Sequence, residues 1–240
     1  MGNAFVSQYD LDAALHNQAG LAQLSTISFA AFFENRFMLK ELSSKGIIIG
    51  IPTKSGVFST SMHAFGPAKW AENTFSIGYS KQLTPKLSGG IQLNYFGMKL
   101  PEENQSLYSV GAELGFIYRL SPTLFVGAHL ANPVSIPFKT LSYNDKIPWR
   151  FRLGGHSPIT EDLTLAVEAE KTENQNIVLK AGMEWKVVER FYLRGGYNSG
   201  ATKLITGIGF SYRSITADIA FGYHQTLGVT PSVSIKVSLK

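Results

Sequence analysis

Apolar and polar residues alternate along most of this chain with a period of two. In the last segment Val233, Ile235, Val237 and Leu239 fall on one side, and Ser232, Ser234, Lys236 and Ser238 on the other. Successive side chains of a β-strand point to opposite faces, so this spacing gives one greasy face and one polar face. The preceding segment sets Ile215, Ala217, Ile219, Phe221 and Tyr223 against Thr216, Asp218, Ala220, Gly222 and His224. Upstream, Leu179, Met183 and Trp185 oppose Lys180, Gly182 and Glu184, while Tyr108, Val110, Leu114 and Phe116 oppose Ser109, Gly111, Glu113 and Gly115. A helix requires apolar residues three and four apart, and no segment of useful length after residue 24 offers that.

The pattern predicts strands at about 25–36, 44–52, 56–65, 73–82, 86–99, 107–120, 122–132, 148–157, 162–171, 175–188, 190–198, 202–212, 214–224 and 230–240. Every second connection is tight: Lys54-Ser55, Thr84-Pro85, Ser121-Pro122, Thr160-Glu161, Glu189-Arg190 and Ser214. The others tend to be longer, up to the stretch from Pro133 to Pro148. Outer-membrane barrels have short periplasmic turns and longer external loops. The expected fold is therefore all-β, a transmembrane antiparallel β-barrel of about 14 strands. It would be a multi-pass protein of a bacterial outer membrane with both termini periplasmic. A soluble β-sandwich also alternates, but it explains neither the aromatic residues on the apolar faces nor the short-and-long rhythm of the turns.

Composition narrows the picture. Charged residues make up 16 % of the 240 residues, against about 25 % in an average soluble domain. The 23 glycines, 16 phenylalanines and 10 tyrosines suit strands, turns and interfacial aromatic girdles. Cysteine is absent, which excludes disulfides and thiolate metal sites. The net charge is +5, yet no two Lys or Arg residues are adjacent and acids lie nearby, so a nucleic-acid surface is not expected. No apolar run approaches the roughly 20 residues of a membrane helix. No signal peptide is visible, and since an exported barrel needs one, the sequence reads as a processed chain.

The first 24 residues break the strand rhythm. They are rich in small residues, with a possible helical turn at 11–15 and a break at Gly20, and they read as a plug entering from the periplasmic side. The expected organisation is residues 1–24 as hatch or plug and 25–240 as barrel. A barrel of about eight strands is filled by its own side chains, whereas sixteen to eighteen leave an aqueous channel, so an intermediate barrel without a plug would leak. The predicted inward-facing set includes Glu113, Arg119, His129, Arg150, Arg152, His156, Glu168, Glu170, Lys180, Glu184, Lys186, Arg194, Lys203 and Asp218. Arg150 and Arg152 fall beside Glu168 and Glu170, which face Lys180, and opposite charges on adjacent strands pair across a ladder. Such charges mark either a substrate path or a salt-bridged network closing the lumen, and the second is the simpler reading. Phe96, Met98 and Phe125 also fall on inward faces, where they would line a greasy path.

Two stretches carry a family resemblance. Met1-Gly2-Asn3-Ala4-Phe5-Val6, Asp12-Ala13-Ala14 and Asn17-Gln18-Ala19-Gly20-Leu21-Ala22 resemble the start of FadL-like barrels, with Gln18 where that superfamily has proline. Leu193-Arg194-Gly195-Gly196-Tyr197, Gly207-Ile208-Gly209-Phe210 and Asp218-Ile219-Ala220-Phe221, with His224 and Leu227-Gly228, resemble its Bacteroidota branch, the PorV/PorQ-type proteins of the type IX secretion system. The resemblance implies a fourteen-strand barrel with an N-terminal hatch, with Asn3, Asp12, Asn17, Gln18 and Gly20 as hatch residues. It also implies a structural or adaptor subunit of an outer-membrane secretion or assembly complex, touching lipid and other outer-membrane or secreted proteins. The alternative it offers is a FadL-like channel for hydrophobic small molecules, with such a molecule or a lipid as ligand. No nucleophile elbow, Walker loop or paired-histidine motif is present, so neither an enzyme nor a cofactor is expected.

Overall fold

The structure, a computed structural model, describes residues 1–67, 70–100, 105–139, 144–200 and 204–239. In chain order its strands are β1 (Ser28–Asn35), β2 (Ser43–Pro52), β3 (Val57–Phe65), β4 (Glu72–Thr84), β5 (Leu87–Leu100), β6 (Gln105–Arg119) and β7 (Phe125–Ser135). Then come β8 (Phe138–Lys139), β9 (Asn144–Asp145), β10 (Arg150–Pro158), β11 (Leu163–Thr172) and β12 (Val178–Val188). The last four are β13 (Phe191–Asn198), β14 (Leu204–Tyr212), β15 (Ile215–His224) and β16 (Gly228–Ser238). Fourteen of them close an antiparallel barrel, while β8 and β9 form a separate two-stranded ribbon in the loop between β7 and β10. All fourteen predicted strands are found, with ends displaced by at most three residues. Lys203 and the start of the predicted strand at 202 lie outside the described residues.

The ring closes where β16 returns to β1, with Ser28 opposite Ser238 and Glu34 opposite Ser232. Closure leaves no unpaired edge, which is how a sheet satisfies its backbone in a medium without water. Outward faces carry large apolar side chains all round, among them Phe29, Ile47, Met62, Ile77, Leu93, Leu114, Val167, Leu179, Ile208 and Ile235. Inward faces are small or polar, with Ser28, Ser44, Ser59, Ser61, Ser76, Ser80, Ser88 and Ser109 all buried. A solvent-exposed apolar belt of this extent is unfavourable in water and suited to a hydrocarbon surround. Among the described residues no helix is long and apolar enough to cross a membrane.

Three ladders are irregular: Leu83 bulges between β4 and β5, Val187 between β12 and β13, and the widest interruption lies between β6 and β7. Gly111 of β6 pairs with Ser135 and Glu113 with Ala131, so Asn132, Pro133 and Val134 bulge from β7. Asn132 takes a left-handed φ of 52° there, a conformation asparagine tolerates better than most residues. The turns at the end of the barrel where β1 begins are tight, as at 189–190 and 213–214. The opposite end carries the 136–149 connection, but also the three-residue loop 225–227, so the alternation of loop lengths weakens toward the C-terminus.

Candidate functional site

Residues 1–24 lie inside the ring. They form two short 3-10 turns, Leu11–Leu15 and Gln18–Gln23, each opened by a side-chain cap. Asp10 accepts from the Leu11 amide at 2.5 Å and Asn17 Oδ1 from the Ala19 amide at 3.2 Å, satisfying amides that a helix start leaves free. Gly20 does not break this structure as expected. It sits within the second turn, where a Cβ would overlap the Gln8 carbonyl and Ala13, and its bareness lets the segment fold back on itself. On one side Leu11, Ala13, Ala14 and Leu21 pack on Ala30, Ile48 and Val57 of β1–β3.

Glycines of the wall receive the segment. A Cβ on Gly90 of β5 would lie 2.6 Å from the Ala19 amide nitrogen, and one on Gly154 of β10 would lie 2.9 Å from Val6 Cγ1. Side chains at Gly115 of β6, Gly127 of β7, Gly182 of β12 and Gly196 of β13 would run into Asn17, Val6, Met1 and Gly2 respectively. The doubled glycines thus divide their work. Gly154 and Gly196 face the segment, whereas a Cβ on Gly155 or Gly195 would meet only Phe125 and Val126, or Met183.

Three polar groups tie the segment to the wall. In the first, Glu113 receives the Gln18 amide at 2.5 Å, the Asn94 amide at 2.7 Å and a hydrogen bond with His129 Nε2 at 2.9 Å. Beside it Asn17 donates to the carbonyls of Val6, Phe116 and Ala128 at 2.6, 3.2 and 3.3 Å, and the Ser80 hydroxyl donates to the Gln18 carbonyl at 2.5 Å. In the second, Glu168 Oε2 accepts the backbone amides of Phe5 and Val6, each at 2.9 Å, while its Oε1 holds Lys180 at 2.7 Å. Lys180 and Arg152 both reach Glu170 at 2.9 Å, and Arg152 donates to the His16 carbonyl at 3.0 Å. In the third, Lys236 of β16 bridges Asp10 and Asp12, the latter at 2.7 Å. Further round, Arg194 links Glu184, at 2.5 Å, to Asp218.

The candidate residues therefore separate into distinct groups. Arg152, Glu168, Glu170 and Lys180 form one ion network across β10–β12. Glu184, Arg194 and Asp218 form another, and Glu113 belongs with amides instead. Arg150 stands apart, its Nε buried without a hydrogen-bond partner. Asn3, with a φ of 61°, faces open space, and Asp12 joins Lys236. Sequence reasoning did not single out Lys236, Asn94 or Gln92. The signal available for Lys236 was one charge in an inward row otherwise made of serine; the two amides carried none.

The ion networks follow the wall and do not seal the lumen. Among the described residues the cavities beside the segment include two of about 580 and 470 Å³, and one of about 360 Å³ at the tight-turn mouth. The first opens toward the long-loop end, bounded by Leu15, Phe32 and Val178 together with Arg36, Arg150, Arg152 and Lys180. The second lies toward the tight turns, along Glu184, Arg194, Gly207, Thr216 and Lys236. At the loop-side rim Lys146 reaches Glu173 at 2.7 Å and the Trp149 amide reaches it at 3.4 Å. The hydrogen bond from Lys146, above all, holds the Glu173 carboxyl below its usual pKa.

Known proteins share this architecture. The barrel is similar to the toluene transporter TbuX of Ralstonia pickettii, with a TM-score of 0.71 and 12 % identity over 100 % of this chain and 97 % of that one. It is similar to the P. putida toluene transporter TodX, with a TM-score of 0.68, 12 % identity and the same coverage. A FadL homologue of Pseudomonas aeruginosa gives 0.65 and 11 % identity over 100 % and 96 % of the two chains. No family model and no curated protein matches the sequence. At such identities the likeness shows a common fold, a closed antiparallel barrel.

Proposed function

We propose that this chain is an outer-membrane passage protein for small hydrophobic molecules, with both termini on the periplasmic side and residues 1–24 serving as a hatch. The observation that carries this reading is the loop-side cavity, where Leu15, Phe32 and Val178 stand beside Arg150, whose Nε has no hydrogen-bond partner. Such a pocket favours an apolar body bearing an acidic group, because the apolar walls desolvate the body while Arg150 meets the charge. The toluene transport named for TbuX and TodX, and the fold shared with them, support the same direction. The lipid-facing belt and the closed ladder support the membrane setting. Each strand of the ring pairs with both its neighbours, and the β6–β7 ladder is interrupted at Asn132–Val134; a route along the barrel axis requires the hatch to shift.

A cross-link tests this. The Ser7 hydroxyl lies 3.0 Å from His156 Nδ1 of β10, so cysteines at these two positions are within reach of a short, reducible, thiol-specific linker. Ser7→Cys/His156→Cys barrels linked in this way in liposomes are expected to lose uptake of an apolar carboxylate and regain it on reduction. Equal uptake by the locked and unlocked forms would refute the hatch.

The adaptor role in a secretion complex is the second reading, favoured by the closed ring, in which every strand is paired on both sides. A partner protein that co-purifies stoichiometrically in mild detergent would support it over transport.

A further inference from the structure

We infer that a water-filled passage runs beside the N-terminal segment, along the inner faces of β14–β16, and conducts small cations while the segment remains seated. The inference does not rest on hatch movement or on the hydrophobic substrate proposed above.

The first observation is that the segment leans to one side. Glycine sockets press it against β5, β6, β7, β10, β12 and β13. On β14 the inward glycines Gly207 and Gly209 would meet only wall atoms, those of Ile219, Ala220, Asp218 and Arg194. The second is the size of the inward residues there. Opposite the segment stand Gly207, Thr216, Ala220, Ser232 and Ser234, where β10–β12 carry Arg152, Glu168 and Lys180. Apart from Asp218 and Lys236 these inward side chains are small, and the segment's Asp10 and Asp12 reach the arc at Lys236, which leaves space beside them.

Third, the two cavities share a border. The loop-side and the turn-side cavity are both bounded by Asn3, Asp12, Asp218, Ala220, Ser232 and Ser234. This common ring is the neck of the passage, and it is made of an amide, two carboxylates, two hydroxyls and one methyl. Its groups replace the hydration shell of an ion far better than they solvate a hydrocarbon. The carboxylates at the neck are also pinned from below, Asp12 by Lys236 and Asp218 by Arg194, so the neck keeps its shape without the segment moving.

Charge gives the passage its preference. The turn-side cavity is lined by the acids Asp10, Asp12, Glu184 and Asp218 against the bases Arg194 and Lys236. Within a low-dielectric wall such an excess concentrates cations and repels anions. The loop-side cavity carries both signs in equal number and adds no opposing filter.

The test is electrical and uses the full chain reconstituted in planar bilayers under a potassium chloride gradient. Steady ohmic conductance is expected, with a reversal potential on the potassium side. Ala220→Trp and Ser234→Trp should each reduce the conductance at least several-fold. Because the chain has no cysteine, Ser232→Cys offers a second readout that does not depend on folding with a larger side chain. A charged thiol reagent added to the open protein should reduce its current, and a reducing agent should restore it. The Ser7→Cys/His156→Cys lock should leave conductance in place while it stops uptake, so the two proposals fail separately. Absence of current from barrels that retain folded gel mobility, anion preference, or loss of current on locking would overturn the inference.

Discussion

Glu168 does the work of three ordinary contacts with one side chain. Its two oxygens divide between a pair of backbone amides and an ammonium group, all of them away from bulk water. Glu168→Ala would leave Lys180 and the Phe5 and Val6 amides with unmet hydrogen bonds, at a cost of about 3 kcal/mol. Urea unfolding followed by the heat-dependent gel shift should show that loss, and Glu168→Gln should recover part of it through its carbonyl oxygen. The glycines make a sharper comparison. Gly127→Leu should expel the segment and expose it to protease, because Val6 occupies that space, whereas Gly207→Leu should leave it protected. These roles were only partly legible in the sequence. Inward glycine was visible as alternation, but which glycines meet the segment depends on how 24 irregular residues fold, and no periodicity encodes that. Gln18 illustrates the limit: its difference from the family proline was apparent, its bond to Glu113 was not.

Strands were read most reliably because each has two faces in unlike surroundings. A shift of one residue would turn Leu93, 64 % exposed on the outer face of β5, toward the polar lumen and Asn94 toward the outside. Leu93→Lys, near the middle of its strand, should therefore cost about 2–4 kcal/mol in lipid vesicles, measured as a change in unfolding free energy. Loops obey no such rule, which explains why the β8–β9 ribbon and the bulge at Asn132–Val134 went unforeseen. Glu173 supplies a pH test at the loop rim. Its pKa is depressed in the folded chain, so its contribution is present above the ordinary carboxylate range and disappears as pH falls through the lowered value. Fluorescence of Trp149 should change across that acidic range in the native chain and remain flat in Glu173→Gln.

At the scale of the whole molecule, fourteen strands enclose more space than their own side chains fill. Removing residues 1–24 should accordingly give a barrel with several-fold higher conductance, provided the ring still closes; bilayer recording and gel mobility report the two outcomes together. The strand count was legible because it follows from periodicity and from the two unlike faces of each strand. The asymmetry of the lumen was not, since it arises from contacts between segments far apart in sequence, such as Gly90 with Ala19 and Gly196 with Gly2.

The bridge from Lys236 to Asp10 and Asp12 joins the two extremes of the chain, and it has a consequence for biogenesis. Residues 1–24 leave the ribosome before any strand, yet their sockets on β12 and β13 and their anchor on β16 exist only after nearly all the others have been made. Contacts of such high order are slow to form. The segment must wait, unfolded, in the hands of a chaperone or fold as a mandrel around which the sheet curls. In the first case residues 1–24, synthesised before every strand, are among the last to reach their seat.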